Sequence, residues 1–212
     1  MTCAICEVRK PRRYCPGVRG DICAICCGTE RENTVDCPFD CVYLREARAR
    51  EKPIELDASA ASIPFYDIRV PAGFLREHAA IAQLVAEAVA KAVFATPGAI
   101  DYDLREALEA LIRTYKTLQS GLVYESRPNN PVAAHIFEVV QKLIDDGRKQ
   151  VASKTGVTFR DGEVMAMLLI MQRQEYRFNN GRKRGRAYLD RLRKMIPEDA
   201  ASVAPSTSPL IV

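Results

Sequence analysis

All eight cysteines of this 212-residue chain lie within its first 41 positions. Their spacing reads C-x2-C-x8-C-x7-C-x2-C-C-x9-C-x3-C, and the tetrapeptide CAIC occurs twice, at 3–6 and 23–26. Two thiolates separated by two residues can approach one metal ion from the same side of a tight turn, and a tetrahedral site takes two such pairs. Because two sites of this kind use eight thiolates, the array predicts two metal ions.

Disulfides are the main alternative use for an even number of cysteines, but they are typical of oxidising compartments. The start MTCAICEVRKPRR has no apolar region like that of a signal peptide, and no stretch approaches the ~20 apolar residues of a membrane span. A cytoplasmic protein with reduced thiols and no membrane partner is therefore expected. A thioredoxin-like redox role is disfavoured because no βαβ pattern surrounds either CAIC.

An all-sulfur ligand set favours zinc over magnesium, calcium or manganese, although the spacing alone also admits an iron–sulfur cluster. The simplest of several pairings joins the two CAIC loops around the first zinc and leaves the remaining cysteines for the second. The first zinc then takes Cys3, Cys6, Cys23 and Cys26, and the second takes Cys15, Cys27, Cys37 and Cys41. A catalytic zinc keeps an open coordination position, and this assignment leaves none, so both ions are expected to be structural.

The stretch CAICEVRKPRRYCPGVRGDICAIC resembles the cross-brace zinc fingers, and within them the B-box of tripartite-motif proteins. The resemblance lies in the order of the cysteines: a Cys-x-x-Cys pair, an eight-residue gap, a third cysteine, a seven-residue gap and a second Cys-x-x-Cys pair. It is confined to residues 3–41. It implies two zinc sites that interleave along the chain. This chain has Val18 where a B-box usually has Cys or Asp, and it has cysteines where a B-box closes with histidines. The resemblance implies that Cys27 replaces the missing ligand, with Asp21 as the weaker candidate.

The sequence predicts a small zinc-stabilised module with little regular structure, followed by an all-α helical domain. The expected segments are a binuclear zinc-binding module at 1–42, a short helix, linker and extended arm at 43–70, a domain of about five helices at 71–197, and a disordered tail at 198–212. Within the second segment, IPFYDIRVP is rich in β-branched and aromatic residues, which favours a strand or an extended arm packed on the helices.

Apolar residues recur at three- and four-residue spacings through the helical domain. They predict one helix over 72–95, a second capped by Asp101 or Asp103, and a third beginning at Asn130-Pro131 with its later turns loosened by Gly147. A fourth is capped by Asp161 and has the interior MAMLLIM, and a fifth covers about 185–196. MAMLLIM is apolar almost all round, so the fourth helix is expected at the centre of the core.

Two groups of cations stand out. Arg9, Lys10, Arg12, Arg13 and Arg19 flank the cysteines, where they would offset the charge of −2 that four thiolates around one Zn²⁺ leave. The alternative is a surface for nucleic acid or an acidic peptide, which is less favoured because the module's net charge is small.

Residues 172–194 carry nine basic and two acidic side chains. A segment of this charge can hold phosphates with salt-sensitive affinity. The candidate nucleic-acid-binding residues are Arg182, Lys183, Arg184, Arg186, Arg193 and Lys194. The alternative is a solvated surface, or a partner for the acidic residues of 53–171.

No catalytic residues are predicted, because the chain has no Gly-rich phosphate loop, no G-x-S-x-G and no H-E-x-x-H. Its two histidines, His78 and His135, are expected to be satisfied or half-buried in the helical core. The favoured function is a non-enzymatic, zinc-stabilised scaffold or protein-interaction protein, whose partner is a protein and not a small-molecule substrate. A nucleic-acid-binding protein is the alternative, and an enzyme within the helical domain is the weakest of the three.

Overall fold

The computed structural model describes residues 2–55, 63–121 and 124–195 of the chain. Helices predominate in these ranges and follow an N-terminal cysteine cluster, which confirms the predicted fold class at that level. The tail predicted at 198–212 and most of the predicted linker lie outside the described residues.

The N-terminal part contains more regular structure than expected. Strands β1 (Arg13–Cys15) and β2 (Gly20–Ile22) pair in an antiparallel hairpin, with Arg13 opposite Ile22. Helices α1 (Ala24–Thr29) and α2 (Val42–Arg48) follow. We call residues 2–48 the cysteine module. Its small core consists of five cysteines together with Ile22, Val35 and Leu44.

The helical domain is a bundle. Its elements are α3 (Phe74–Glu77), α4 (Ala79–Ala95), α5 (Asp101–Gln119), α6 (Pro131–Thr155), α7 (Asp161–Phe178) and α8 (Ala187–Met195). Helices α4 and α5 each pack against both α6 and α7, and α8 packs against α5 and α7. The MAMLLIM stretch of α7 is buried except for Ile170, so its predicted central position is confirmed.

Two polar side chains fix where α5 and α6 begin. The Asn130 side-chain oxygen accepts a hydrogen bond from the Val132 backbone N–H at 2.9 Å, and Asp103 accepts one from the Ile100 N–H at 3.0 Å. The Asn130 amide also donates to Asp103 at 2.6 Å, so the two helix starts are joined. Both predicted caps are therefore confirmed, because capping depends on residues close in sequence.

Two predictions in the segment before α5 were wrong. The single helix expected over 72–95 is divided at His78, whose backbone leaves the helical region at φ −120° and ψ 37°. The His78 ring stacks on Phe74 at 4.7 Å, and its Nδ1 lies 3.1 Å from a carboxylate oxygen of Glu163 on α7. Residues 63–68 form turns and bends, so the segment is neither a strand nor an extended arm, although Phe65 and Ile68 pack against the bundle core as the arm was expected to do.

Gly147 does not loosen α6, which continues without interruption to Thr155. A Cβ atom at Gly147 would lie 2.3 Å from Leu84 Cδ1 on α4, so the glycine allows the two helices to approach closely. Gly147→Ala is therefore expected to lower the free energy of unfolding by about 0–2 kcal/mol, because overpacking costs about 1–3 kcal/mol and the gain in helix propensity offsets about 1 kcal/mol of it. Urea denaturation would measure the loss. Adding Leu84→Ala should cost less in the Gly147→Ala background than alone, and strictly additive losses would contradict this explanation.

Candidate metal centre

The two CAIC loops meet in the structure. The sulfur atoms of Cys3, Cys6, Cys23 and Cys26 all lie within 4.8 Å of one another, and three of these side chains are buried. A tetrahedral zinc with Zn–S bonds of about 2.3 Å has sulfurs about 3.8 Å apart, so the four thiols need only small movements to reach it. All eight cysteines are free thiols. Four cysteines are therefore close enough to hold a metal ion, as predicted for the first site.

Backbone hydrogen bonds place these sulfurs. Cys23 caps the start of α1, where its sulfur accepts a hydrogen bond from the Cys26 N–H at 3.4 Å. The sulfur of Cys3 accepts one from the Cys23 N–H at 3.2 Å, which joins the two loops. The second CAIC thus lies at the start of a helix, as the Cys-x-x-Cys of redox proteins does. The first CAIC, however, lies directly beside the second. N–H groups directed at sulfur stabilise a thiolate, the form that binds metal.

The thiol pKa values reflect this crowding. Burial acts to raise the pKa of Cys3, but backbone hydrogen bonds from Cys6 and Cys23 outweigh it and lower that pKa to about 6. Burial raises the pKa of Cys26 to about 12, and the neighbouring sulfurs add to the effect. A divalent metal would offset the charge of thiolates held this close together, so it is the natural partner of this group.

The other four cysteines surround a single cavity. Cys15, Cys27, Cys37 and Cys41 line it together with Tyr43 and Leu44, and Cys26 of the first set borders it as well. Among the residues that the structure describes, only the first set of sulfurs meets the 4.8 Å distance, so the second set is more widely spaced. Asp21, the weaker alternative ligand, is exposed on β2. The pairing of cysteines into two sets therefore remains a prediction, with the shared cavity in its favour.

Arginine side chains approach the sulfurs of both sets. A guanidinium nitrogen of Arg9 lies 4.0 Å from the Cys23 sulfur. Arg13 and Arg31 bring nitrogens to 3.7 and 3.6 Å from the Cys27 sulfur. Positive charge at these distances offsets thiolate charge, which is the role expected for Arg9 and Arg13.

The cysteine module is fastened to the bundle through Glu32, a residue that the sequence patterns did not single out. Glu32 is fully buried and adopts a positive φ of 52°. Its carboxylate accepts hydrogen bonds from the Arg48 guanidinium at 2.5 Å, the Asn180 amide at 2.9 Å and the Arg186 backbone N–H at 2.9 Å. Its carbonyl oxygen accepts a further one from the Arg184 N–H at 2.8 Å.

The predicted nucleic-acid-binding residues are partly engaged in the same interface. We call residues 28–40 the docking loop and residues 182–194 the basic segment. Arginines of the basic segment bind carbonyl and carboxylate oxygens of the docking loop: Arg182 donates to Gly28 and Arg31, Arg186 donates to Asp36 and Cys37 at 2.5 Å each, and Arg184 pairs with Asp36 at 3.4 Å.

Phe39 adds an apolar contact to this interface. It packs against the bundle core, and the guanidinium groups of Arg186 and Arg193 lie 4.8 and 5.1 Å from its ring centre. Arg193 and Lys194 pair with Asp190 on their own helix, and Lys183 is exposed. Among the described residues, the acidic side chains that pair with the cations of the basic segment therefore belong to the module and to α8. No ion pair among the described residues joins the acidic side chains of 53–171 to the cations of the basic segment, and that region contacts the segment through Asp101 instead.

Asp101 completes the support of the basic segment from the bundle side. Its two carboxylate oxygens each accept a hydrogen bond at 3.0 Å, from the backbone N–H groups of Tyr188 and Leu189 at the start of α8. The Asp101 N–H donates to the carbonyl of Gly185 at 2.9 Å. Asp101 was predicted as a cap for α5, and it instead caps the neighbouring helix.

Neither histidine takes part in the cysteine cluster. His78 is half-exposed and contacts Phe74 and Glu163, in line with the expected half-buried position. His135 on α6 is exposed, so its expected place in the core was wrong.

Comparison of the chain with family models, curated proteins and solved structures finds no match in any of the three. None of the helices in the described ranges has the length and apolar composition that crossing a lipid bilayer requires.

Proposed function

We propose that this protein is a non-enzymatic zinc-binding protein, in which a binuclear structural module and a helical bundle together form a scaffold for a protein partner. The observation that carries the proposal is the arrangement of the eight free thiols. Four lie within 4.8 Å of one another, and the other four line one adjacent cavity, which Cys26 of the first four also borders. Soft all-thiolate sites of this kind select zinc over the hard divalent cations.

Structural zinc fits the module better than catalytic zinc. A catalytic site keeps one position for water, with a base nearby, whereas four cysteines fill the tetrahedron at each proposed ion. The hairpin carries Cys15 between the two CAIC loops, so the proposed ligand sets interleave as in the cross-brace fingers. Kinship with the B-box is part of this proposal, and reduced thiols support a cytoplasmic location.

Exposed apolar side chains on the module favour a protein partner. Val8, Tyr14 and Ile25 are 83%, 60% and 55% exposed. Exposed apolar and aromatic groups indicate a protein-binding surface where they form one contiguous patch, which is what this proposal expects of these three side chains.

The double variant Val8→Glu/Tyr14→Glu is therefore expected to abolish capture of a specific protein by the immobilised zinc-loaded chain. Its zinc content should not change, because neither residue is a proposed ligand. Thr29→Glu, a charge placed on the exposed side of α1, is the matched control and should retain the partner. Equal capture by all three proteins would contradict a binding role for this surface.

Nucleic-acid binding is the alternative function, and the exposure of Lys183, Arg184, Arg193 and Lys194 is the observation in its favour. Lys183→Ala/Arg193→Ala should reduce the slope of log affinity against log salt by up to about 2, roughly one for each phosphate that is no longer bound. Fluorescence anisotropy with a labelled oligonucleotide at several salt concentrations would measure the slope. Undetectable binding by the zinc-loaded and the zinc-free chain at low ionic strength would eliminate this alternative.

A further inference from the structure

We propose that the docking loop is a metal-organised clamp that masks part of the basic segment, and that loss of zinc from the second site uncovers Arg182 and Arg186 and releases the exposed Arg184 from its ion pair with Asp36, so that these arginines bind the phosphate backbone of a nucleic acid. The inference rests on the second zinc site of the proposed function. It adds to that function a masked surface whose exposure depends on the metal.

The docking loop lies between proposed ligands of the second zinc. The loop begins after Cys27 and ends before Cys41, and Cys37 lies within it. Three of the four ligands proposed for the second zinc therefore flank the loop or lie inside it. Its own order comes mainly from one turn, in which the Glu30 carbonyl accepts hydrogen bonds from the N–H groups of three following residues. Val35 is the buried aliphatic side chain that it adds to the module core. Without metal, few internal contacts offset the entropy of ordering this loop.

The module contacts the basic segment mainly through the docking loop. The hydrogen bonds, the ion pair to Asp36 and the Phe39 contact described above all originate between Cys27 and Cys41. No hydrogen bond or ion pair among the described residues joins residues 2–26 to the bundle. The contacts from the module to Arg182, Arg184 and Arg186 therefore come from the segment that the second zinc would order, whereas Arg48 on α2 separately pairs with Asp190 on α8 at 3.2 Å.

The docking loop also compensates the positive charge of the basic segment. In the docked state only 13% of the Arg186 side chain is exposed, and Glu32 and Asp36 compensate the arginines around them. Release of the docking loop leaves Arg182, Lys183, Arg184 and Arg186 as four cations within five residues. Such a cluster gains affinity for phosphates by releasing condensed counterions, without contact to the bases.

Hydrogen exchange tests the clamp directly, because two backbone amides of the basic segment donate to Glu32. The full-length chain would be compared zinc-loaded and zinc-free under reducing conditions. The amides of Arg184 and Arg186 should exchange at least tenfold faster after zinc removal, whereas those within α6 should not change. Cys41→Ser should give the same result without a chelator. Unchanged exchange at Arg184 and Arg186 would overturn the clamp.

Binding of a labelled 20-nucleotide single strand tests the exposed surface. The zinc-free chain should bind it at least tenfold more tightly than the loaded chain at low salt, and Arg182→Ala/Arg186→Ala should remove that gain. Equal affinity of the two forms would overturn the masked-surface proposal.

The zinc content of the untreated chain distinguishes failure of the proposed function from failure of the clamp. Fewer than two zinc ions on the untreated chain would refute the proposed function itself, whereas two ions with unchanged exchange would refute only the clamp.

Discussion

Glu32→Ala is expected to lower the free energy of unfolding by about 3 kcal/mol, the lower end of the cost of removing one partner from a buried ion pair, because Arg48 keeps Asp190 at 3.2 Å. The substitution leaves the Arg48 guanidinium, whose side chain is only 8% exposed, without its closest carboxylate. It also leaves the Asn180 amide and the Arg186 N–H without their acceptor. The loss should appear as a lower midpoint in urea denaturation of the zinc-loaded chain.

Two variants isolate the cause. Glu30→Ala removes a carboxylate from the same loop whose hydrogen bond to Thr34 is exposed, so it should change stability by less than about 0.5 kcal/mol. Glu32→Gln keeps the shape and one acceptor oxygen, and its effect should lie between those of the two alanine variants. If Glu32→Ala and Glu30→Ala unfold at the same urea concentration, Glu32 does not fasten the module to the bundle.

Cys23→Ser is expected to remove at least one zinc ion and to unfold the start of the module. Cys23 contributes a sulfur to the first cluster and caps α1. Structural zinc binding contributes about 10–16 kcal/mol in zinc-finger peptides, far more than a core of this size can replace. Native mass spectrometry should therefore show one zinc or none, while the helical circular dichroism of the bundle is largely retained.

The neighbouring residue offers a matched control for this substitution. Ala24 is exposed, so Ala24→Ser introduces the same hydroxyl without removing a sulfur. This variant should retain the full zinc content. A Cys23→Ser chain with unchanged zinc content would mean that the CAIC loops do not share an ion.

The helical bundle could be predicted where local chemistry decides the structure. Asn130 and Asp103 act on N–H groups within three residues, so the starts of α6 and α5 follow from the sequence alone. The break at His78 and the role of Gly147 could not be predicted in this way. Each depends on a side chain from another helix, Glu163 in one case and Leu84 in the other.

The same distinction holds for the site. The meeting of the two CAIC loops could be predicted because repeated spacing of soft ligands has few uses other than a shared metal. The role of Glu32 could not, since its partners in the basic segment lie about 150 residues further along the chain. A charge count showed that the segment is basic, but only the fold shows that the docking loop supplies its acidic partners.

The most direct test of the central claim is zinc K-edge X-ray absorption of the purified full-length chain, combined with native mass spectrometry. The account predicts two zinc ions per chain, each with four sulfur neighbours at about 2.3 Å. A single ion, nitrogen or oxygen atoms among the zinc ligands, or iron with visible absorbance would contradict it.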